Sequence, residues 1–273
     1  MPDTYIVSNS DLTAVADAIR AKTGGTGQLT FPVGFITAIN SIQNAPATYV
    51  EETYNDDDYL ISAVVHGSTK IRQALFYQAS QLTSVTIPDN VTEIAAQVFY
   101  HCDSLPTISL PETIVSIGEH AFGYCSAFNA PQLPSGLTEI KLGSFIGCIN
   151  LALDNLPTGV TRIGSSAFYR CEKLALTTLP AGLISIGLEA FYDCQKLALT
   201  TFPATLERIR GKAFCGCLGL TTLTFQGTPT EIAGDTFEGC TNLTTINVPW
   251  AEGAVANAPW GATNATISYN YTG

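Results

Sequence analysis

The residues of this chain whose types could do chemistry are its eight cysteines, its three histidines, one aspartate run and a set of regularly spaced tyrosines. Cysteine recurs as Cys102, Cys125, Cys148, Cys171, Cys194, Cys217 and Cys240, always 23 residues apart. Thiolate metal sites bring their ligands in close pairs such as C-x2-C. Only Cys215 and Cys217 stand that near each other here, as Cys-Gly-Cys. The long spacing instead suits reduced thiols filling small gaps in a core, with disulfides between neighbouring repeats as the other reading. His66, His101 and His120 do not converge with acids into a triad or a metal site. Asp56, Asp57 and Asp58 offer carboxylates to a hard cation, but without the D-x-[DN]-x-[DN]-G loop that calcium favours. They read as solvated charge. The expectation is a chain with no catalytic residues, no metal and no cofactor.

Binding is the chemistry that remains. Tyr77, Tyr100, Tyr169 and Tyr192 each follow a phenylalanine. Tyr169 and Tyr192 lie one repeat apart, with Arg170 and Lys173 nearby, and Tyr and Arg are the residue types that anchor interfaces. The plain alternative is that these rings cover the edge of a coil. Threonine crowds other positions, among them Thr177 and Thr200. Their hydroxyl rows suit a polar ligand, although threonine is also simply a good strand former. Tyr169, Arg170, Tyr192, Thr177 and Thr200 are therefore the expected ligand- or partner-binding residues.

What must position these residues is a repeat. Phe76, Phe99, Phe122, Phe145, Phe168, Phe191, Phe214 and Phe237 are spaced by 23, and isoleucine keeps step five places earlier, from Ile71 to Ile232. Eight repeats run from about residue 71 to 254 without an insertion. A fixed period of this length means a solenoid, in which one coil cannot fold alone and stacking supplies the missing burial. Identical positions then lie about 4.8 Å apart, so eight coils make a rod about 40 Å long. Within a coil, Leu82–Ile87 alternates and reads as a strand that Pro88 ends. Val91–Ile94 is a second extended piece, and Ala96–Cys102 suits one helical turn. The apolar pattern changes from Leu82-x-x-Val85-x-Ile87 to Leu174-Ala-Leu176 in the middle repeats, which predicts a break in the sheet on that face.

Composition sets outer limits. The 273 residues are 46% hydrophobic and 13% charged, with a net charge of −11. That balance argues against nucleic acid and anionic membrane as partners, since both call for clustered Lys and Arg. No stretch reaches the about 18 consecutive apolar residues of a membrane-spanning helix. The opening Met-Pro-Asp-Thr-Tyr lacks the basic patch and apolar run of a secretory signal, so assembly in a reducing cytoplasm is expected.

The segment Ile163-Gly-Ser-Ser-Ala-Phe168-Tyr-Arg-Cys171-Glu-Lys-Leu174 resembles the BspA-type leucine-rich repeat. That resemblance covers about two thirds of the chain. It implies a right-handed solenoid, mostly β with short helices, that binds proteins or host surfaces. Ahead of it, Leu12, Val15 and Ile19 sit at helical spacing after the capping residue Ser10, and Phe35 and Ile39 belong to a second short helix. This helical hairpin (residues 1–43) is expected to mediate attachment or oligomerisation, with a homotrimer as one arrangement. It resembles the N-terminal segment of phage and prophage tail proteins, as the region around Trp250 and Trp260 resembles their ends. An acidic linker (44–59), the solenoid (60–249) and a C-terminal cap (250–273) complete the expected order. The expectation drawn from these flanks is a structural or receptor-binding tail protein of a virion, working with other tail proteins and binding a bacterial surface glycan or protein. The alternative is a BspA-like adhesin of the bacterial cell surface.

Overall fold

The computed structural model describes residues 49–272 apart from 131. The expected hairpin and its residues Leu12, Val15, Ile19, Phe35 and Ile39 lie outside the described residues. The strands are β1 (Tyr49–Tyr54), β2 (Leu60–His66), β3 (Lys70–Ile71), β4 (Ser84–Thr86), β5 (Glu93–Ile94), β6 (Ser116–Ile117), β7 (Glu139–Ile140) and β8 (Arg162–Ile163). They continue as β9 (Ser185–Ile186), β10 (Thr201–Phe202), β11 (Arg208–Ile209), β12 (Thr222–Phe225), β13 (Glu231–Ile232), β14 (Thr245–Asn247) and β15 (Thr266–Ser268).

Each coil returns to the same place after 23 residues, so equivalent residues pair in parallel: Ile71 with Ile94, Ile163 with Ile186, Ile209 with Ile232. These isoleucines point inward and are almost fully buried. The isoleucine ladder is interrupted once, between β6 and β7. There Lys141 Nζ donates to Ser116 Oγ at 2.9 Å across the gap.

The second ladder is broken through the middle of the rod, as expected, although its ends lie one coil away from the changes of apolar pattern. It runs as β1-β2-β4 at one end and β10-β12-β14-β15 at the other, with no strand between β4 and β10 on that face. In the first coil Leu82, Val85 and Ile87 are buried, whereas in the fifth Leu174 and Leu176 are buried and Thr177 and Thr178 exposed. The inward apolar position between the flanking columns thus moves by one residue, which moves that side chain to the other face. Coils of the two patterns still pair: Thr201 and Phe202 of the sixth coil lie against Thr224 and Phe225 of the seventh.

The third stretch of each coil corrects the expectation of short helices. Among the described residues there is no helix. Ala96–Cys102 is a run of turns in which Gln97 and His101 take left-handed backbone, φ 57° and 59°. That conformation ends a right-handed helix. It turns alternate N–H groups along the rod: Gln97, Phe99 and His101 donate to the carbonyls of Glu119, Ala121 and Gly123 in the next coil. The same three bonds recur from coil to coil, always from the earlier coil to the later one. The ladder that begins at Ala74 N–H ends with Lys212 N–H donating to the carboxylate of Asp235, Oδ1 at 3.2 Å.

The cysteines follow from this backbone. Cys148 N–H donates to Phe145 O, and Cys171 Sγ of the next coil donates to the same carbonyl at 3.1 Å. All seven buried thiols bond in this way to the phenylalanine 26 residues before. The first coil has no phenylalanine carbonyl before it to accept such a bond, and Ala79 stands there instead of cysteine. The thiol is therefore a donor that satisfies a buried acceptor as well as a filler of space.

The ends are closed differently. Part of the segment expected as an acidic linker is strand β1, paired antiparallel with β2 and burying Val50. Glu51 and Glu52 lie in this strand, and Asp56, Asp57 and Asp58 sit in the following turn, where Asn55 Oδ1 accepts the N–H groups of Asp57 and Tyr59. At the other end Trp260 is fully buried, and its carbonyl accepts Phe237 N–H at 2.8 Å. Trp250 meets Phe225 edge-on at 5.3 Å and Trp260 meets it at 6.3 Å, so both tryptophans pack on that ring.

Candidate binding face

The phenylalanine rings stack down the core with centroids 5.0 to 5.6 Å apart. The turn then brings the next two residues of each coil to the outside. These two outward columns carry Tyr77, Tyr100, Gly123, Ile146, Tyr169, Tyr192 and Cys215 in one, and Gln78, His101, Tyr124, Gly147, Arg170 and Asp193 in the other. The expected residues Tyr169 and Tyr192 do meet, stacked at 4.8 Å with 10° between planes. Arg170 stands beside them, its guanidinium 3.5 Å from Glu172.

A larger ring cluster sits in the first three coils. Tyr77 stacks on Tyr100 at 5.2 Å, and His101 stacks on Tyr124 at 4.8 Å. Tyr100 joins the two pairs through edge contacts to His101, Tyr124 and His120. His101 and His120 stand four places apart in the repeat, and both still reach this one ring. Glycines make room: a Cβ on Gly123 would lie 2.8 Å from the Tyr100 ring, and one on Gly147 would lie 2.6 Å from the Tyr124 ring. Tyr77 and Tyr124 remain 43% and 38% exposed. Tyr124, His101 and His120 were not among the expected site residues; Tyr124 and His101 share the column next to the tyrosines, while His120 stands three positions before the tyrosine column and joins only through stacking of the coils.

Thr177 and Thr200 are exposed but belong to the opposite stretch of the coil, where Thr200 N–H donates to Thr177 O at 3.4 Å. The structure therefore divides the expected residues between two faces. On the threonine face Asn247 Nδ2 donates to Thr224 Oγ1 at 3.2 Å, so the hydroxyl row is partly tied to itself.

Electrostatics makes the thiols poor nucleophiles. Burial pushes Cys125, Cys148, Cys171, Cys194 and Cys217 far above the ordinary thiol range and Cys240 up to about 12. A buried protonated thiol neither attacks nor ligates readily. Cys215 is half-buried and also raised, by burial first and then by Glu238. The Tyr100 phenol is raised by burial and by its neighbours Tyr124 and Tyr77. Among the described residues no three His, Cys, Asp or Glu side chains are gathered so as to hold a metal ion.

The description of the BspA type leucine rich repeat region matches residues 69–198 and 161–251. The chain belongs to this family. Among solved structures it is similar to a leucine-rich repeat protein from Bacteroides ovatus, at 20% identity and TM-score 0.50, over 80% of this chain and 75% of that one. It is also similar to a leucine rich cell surface protein from Faecalibacterium prausnitzii, at 22% identity and TM-score 0.43, over 67% and 70% of the two chains. A leucine-rich repeat protein from Eubacterium ventriosum matches at 25% identity and TM-score 0.45, over 56% of this chain and 41% of that one. No curated protein matches. The likeness to the Bacteroides ovatus protein speaks for the fold, and the tail-particle expectation finds no support in these comparisons.

Proposed function

We propose that this BspA-type repeat protein is a non-catalytic surface protein of the adhesin kind, which holds a protein or glycan partner against the ring-bearing turn face. The observation that carries the reading is the pair of ring clusters on that face, with Tyr77, Tyr124 and Arg170 exposed on a stack of coils bonded to one another throughout. Interfaces draw their energy from a few such Tyr and Arg side chains, and a face of this kind needs no pocket. The cell surface is the location that fits this role.

The test has two arms. Antibody against the protein should label intact producing cells. Purified protein should bind immobilised host cells or matrix proteins, and Tyr77→Ser with Tyr124→Ser and Tyr169→Ser should reduce that binding at least tenfold while leaving the thermal midpoint in place. Binding unchanged in the triple variant would overturn the assignment of this face, and labelling only after lysis would overturn the location.

A further inference from the structure

We infer that the partner contacting the ring cluster of the first three coils is a basic polypeptide segment, rich in Lys or Arg. This rests on the surface-binding reading above and names its partner chemistry. Three separate observations converge on it.

The first is charge. Residues 49–139 carry eleven acidic and two basic side chains, a net of −9, whereas residues 140–272 carry nine and eight, a net of −1. Of the two basic residues, Lys70 is held by Glu93 at 2.7 Å. The described part of the rod is therefore strongly acidic at one end and nearly neutral at the other, and such a field draws cationic segments to that end.

The second is backbone polarity. The N–H groups of Ala74, Phe76 and Gln78 all donate forward to the second coil. A trans peptide holds its C=O opposite its N–H. The carbonyls of Gln73, Leu75 and Tyr77 therefore point back along the rod, and among the described residues they accept no backbone hydrogen bond. In later coils the equivalent carbonyls accept from the coil before. The acidic end thus also carries three aligned acceptors, which suit ammonium, guanidinium or amide donors.

The third is the rings. Tyr77 is covered on one ring face by Tyr100, and among the described residues no ring covers the other. An open tyrosine face binds a Lys or Arg cation. The second exposed ring, Tyr124, lies two coils along the same face, about 10 Å away by coil spacing. An extended peptide covers that distance in about three residues. A neutral sugar would use the ring faces but would draw nothing from the charge or the carbonyls, so the basic segment uses more of what this end offers.

The probe is fluorescein-labelled oligolysine, with oligoglutamate and a neutral dextran as comparisons, read by fluorescence anisotropy on the full chain. Binding is expected for oligolysine alone, weakening as salt rises from about 0.02 to about 0.15 M. Tyr77→Ser with Tyr124→Ser should weaken it about five- to tenfold. Tyr77→Phe with Tyr124→Phe should keep it, because the ring face remains. Tyr271→Ser, which removes an exposed ring at the other end of the rod, should leave it unchanged. The inference is overturned if oligolysine fails to bind at low salt, if dextran or oligoglutamate binds instead, or if Tyr271→Ser weakens binding as much as the Tyr77 and Tyr124 serine pair. Failure here with the cell-binding result intact would remove the basic partner and leave the surface-binding reading standing.

Discussion

The buried thiols make the stability of this protein depend on alkaline pH. Six of them, Cys125, Cys148, Cys171, Cys194, Cys217 and Cys240, are held protonated in the native state by burial. In an unfolded chain each ionises near pH 8.5. The folded value is the raised one, so the unfolded state releases protons first. The stabilisation is complete below about pH 8.5 and is lost as pH rises above it. At about pH 9.5 each unfolded thiol is about nine-tenths ionised, which favours unfolding by about 1.4 kcal/mol. Six together approach about 8 kcal/mol, comparable with the whole stability of a typical domain, about 5 to 15 kcal/mol. Urea unfolding followed by far-ultraviolet circular dichroism, with a phosphine reductant present, should give a steady midpoint from pH 7 to 8 and a steep fall between pH 8.5 and 9.5. Cys171→Ser removes one ionising group and keeps the donor to Phe145 O, so its profile should be shallower by about 1.4 kcal/mol per pH unit. Equal midpoints at pH 7 and 9.5 would refute the picture of thiols sealed in the core.

Phe168 is fully buried between Phe145 and Phe191 at 5.6 and 5.3 Å. Phe168→Ala should cost about 3 to 5 kcal/mol, read from the urea midpoint, and a loss under about 1 kcal/mol would undo the inward column. Titration of the native protein with an aromatic disulfide reagent should modify Cys215 alone, slowly, because its thiol is raised; denaturant should expose the rest, and Cys215→Ser should abolish the native reaction. Asp235 accepts the last N–H of a one-way ladder. Asp235→Ala should therefore cost about 1 to 2 kcal/mol, and an unchanged midpoint would show that this carboxylate closes nothing.

Much of the coil could be read from residue spacing. The Ile, Phe and Cys columns are buried as their period implies, and the expected break in the second ladder is present, but its ends do not coincide with the change from Leu82-x-x-Val85 to Leu174-x-Leu176. The columns are set by apolar burial, which shows as periodicity. The turns could not be read so, because their left-handed positions hold Ala74, Gln97, His120, Ser166, Glu189 and Lys212, a set with no common residue type. Bonds between coils hold that backbone, and they leave no pattern in one strand of sequence. The ring cluster was half visible for a related reason. Tyr77 and Tyr100 share a column, but Tyr124 enters from the neighbouring column one coil on, a contact that only the stacked geometry supplies. Strand β1 was hidden by its composition, since Glu51 and Glu52 lie on an edge strand where charge is ordinary.

The same bonds explain why the turn face can change its side chains without changing its fold. Its N–H and C=O groups are satisfied from coil to coil whatever the two outward columns carry: Tyr and His in the second coil, Ile and Gly in the fourth, Cys and Gly in the seventh. That independence is testable by transplanting one pair into another coil. Cys215→Tyr with Gly216→His would copy Tyr100 and His101 into the seventh coil. Gly216 has φ 73° and His101 has φ 59°, so the backbone already takes a conformation that histidine tolerates elsewhere in this chain. A Cβ at position 216 would approach Asp193 Oδ1 at 2.7 Å, the far end of a side chain free to turn outward. The left-handed position costs a non-glycine residue about 1 to 2 kcal/mol, and the new tyrosine would stack on Tyr192 and offset part of it. The double variant should therefore fold with a midpoint close to that of the parent. It should also gain cell binding if ring number on this face sets affinity. Loss of the folded state would show that the outward columns are bound into the core, and that recognition and stability cannot be separated in this solenoid.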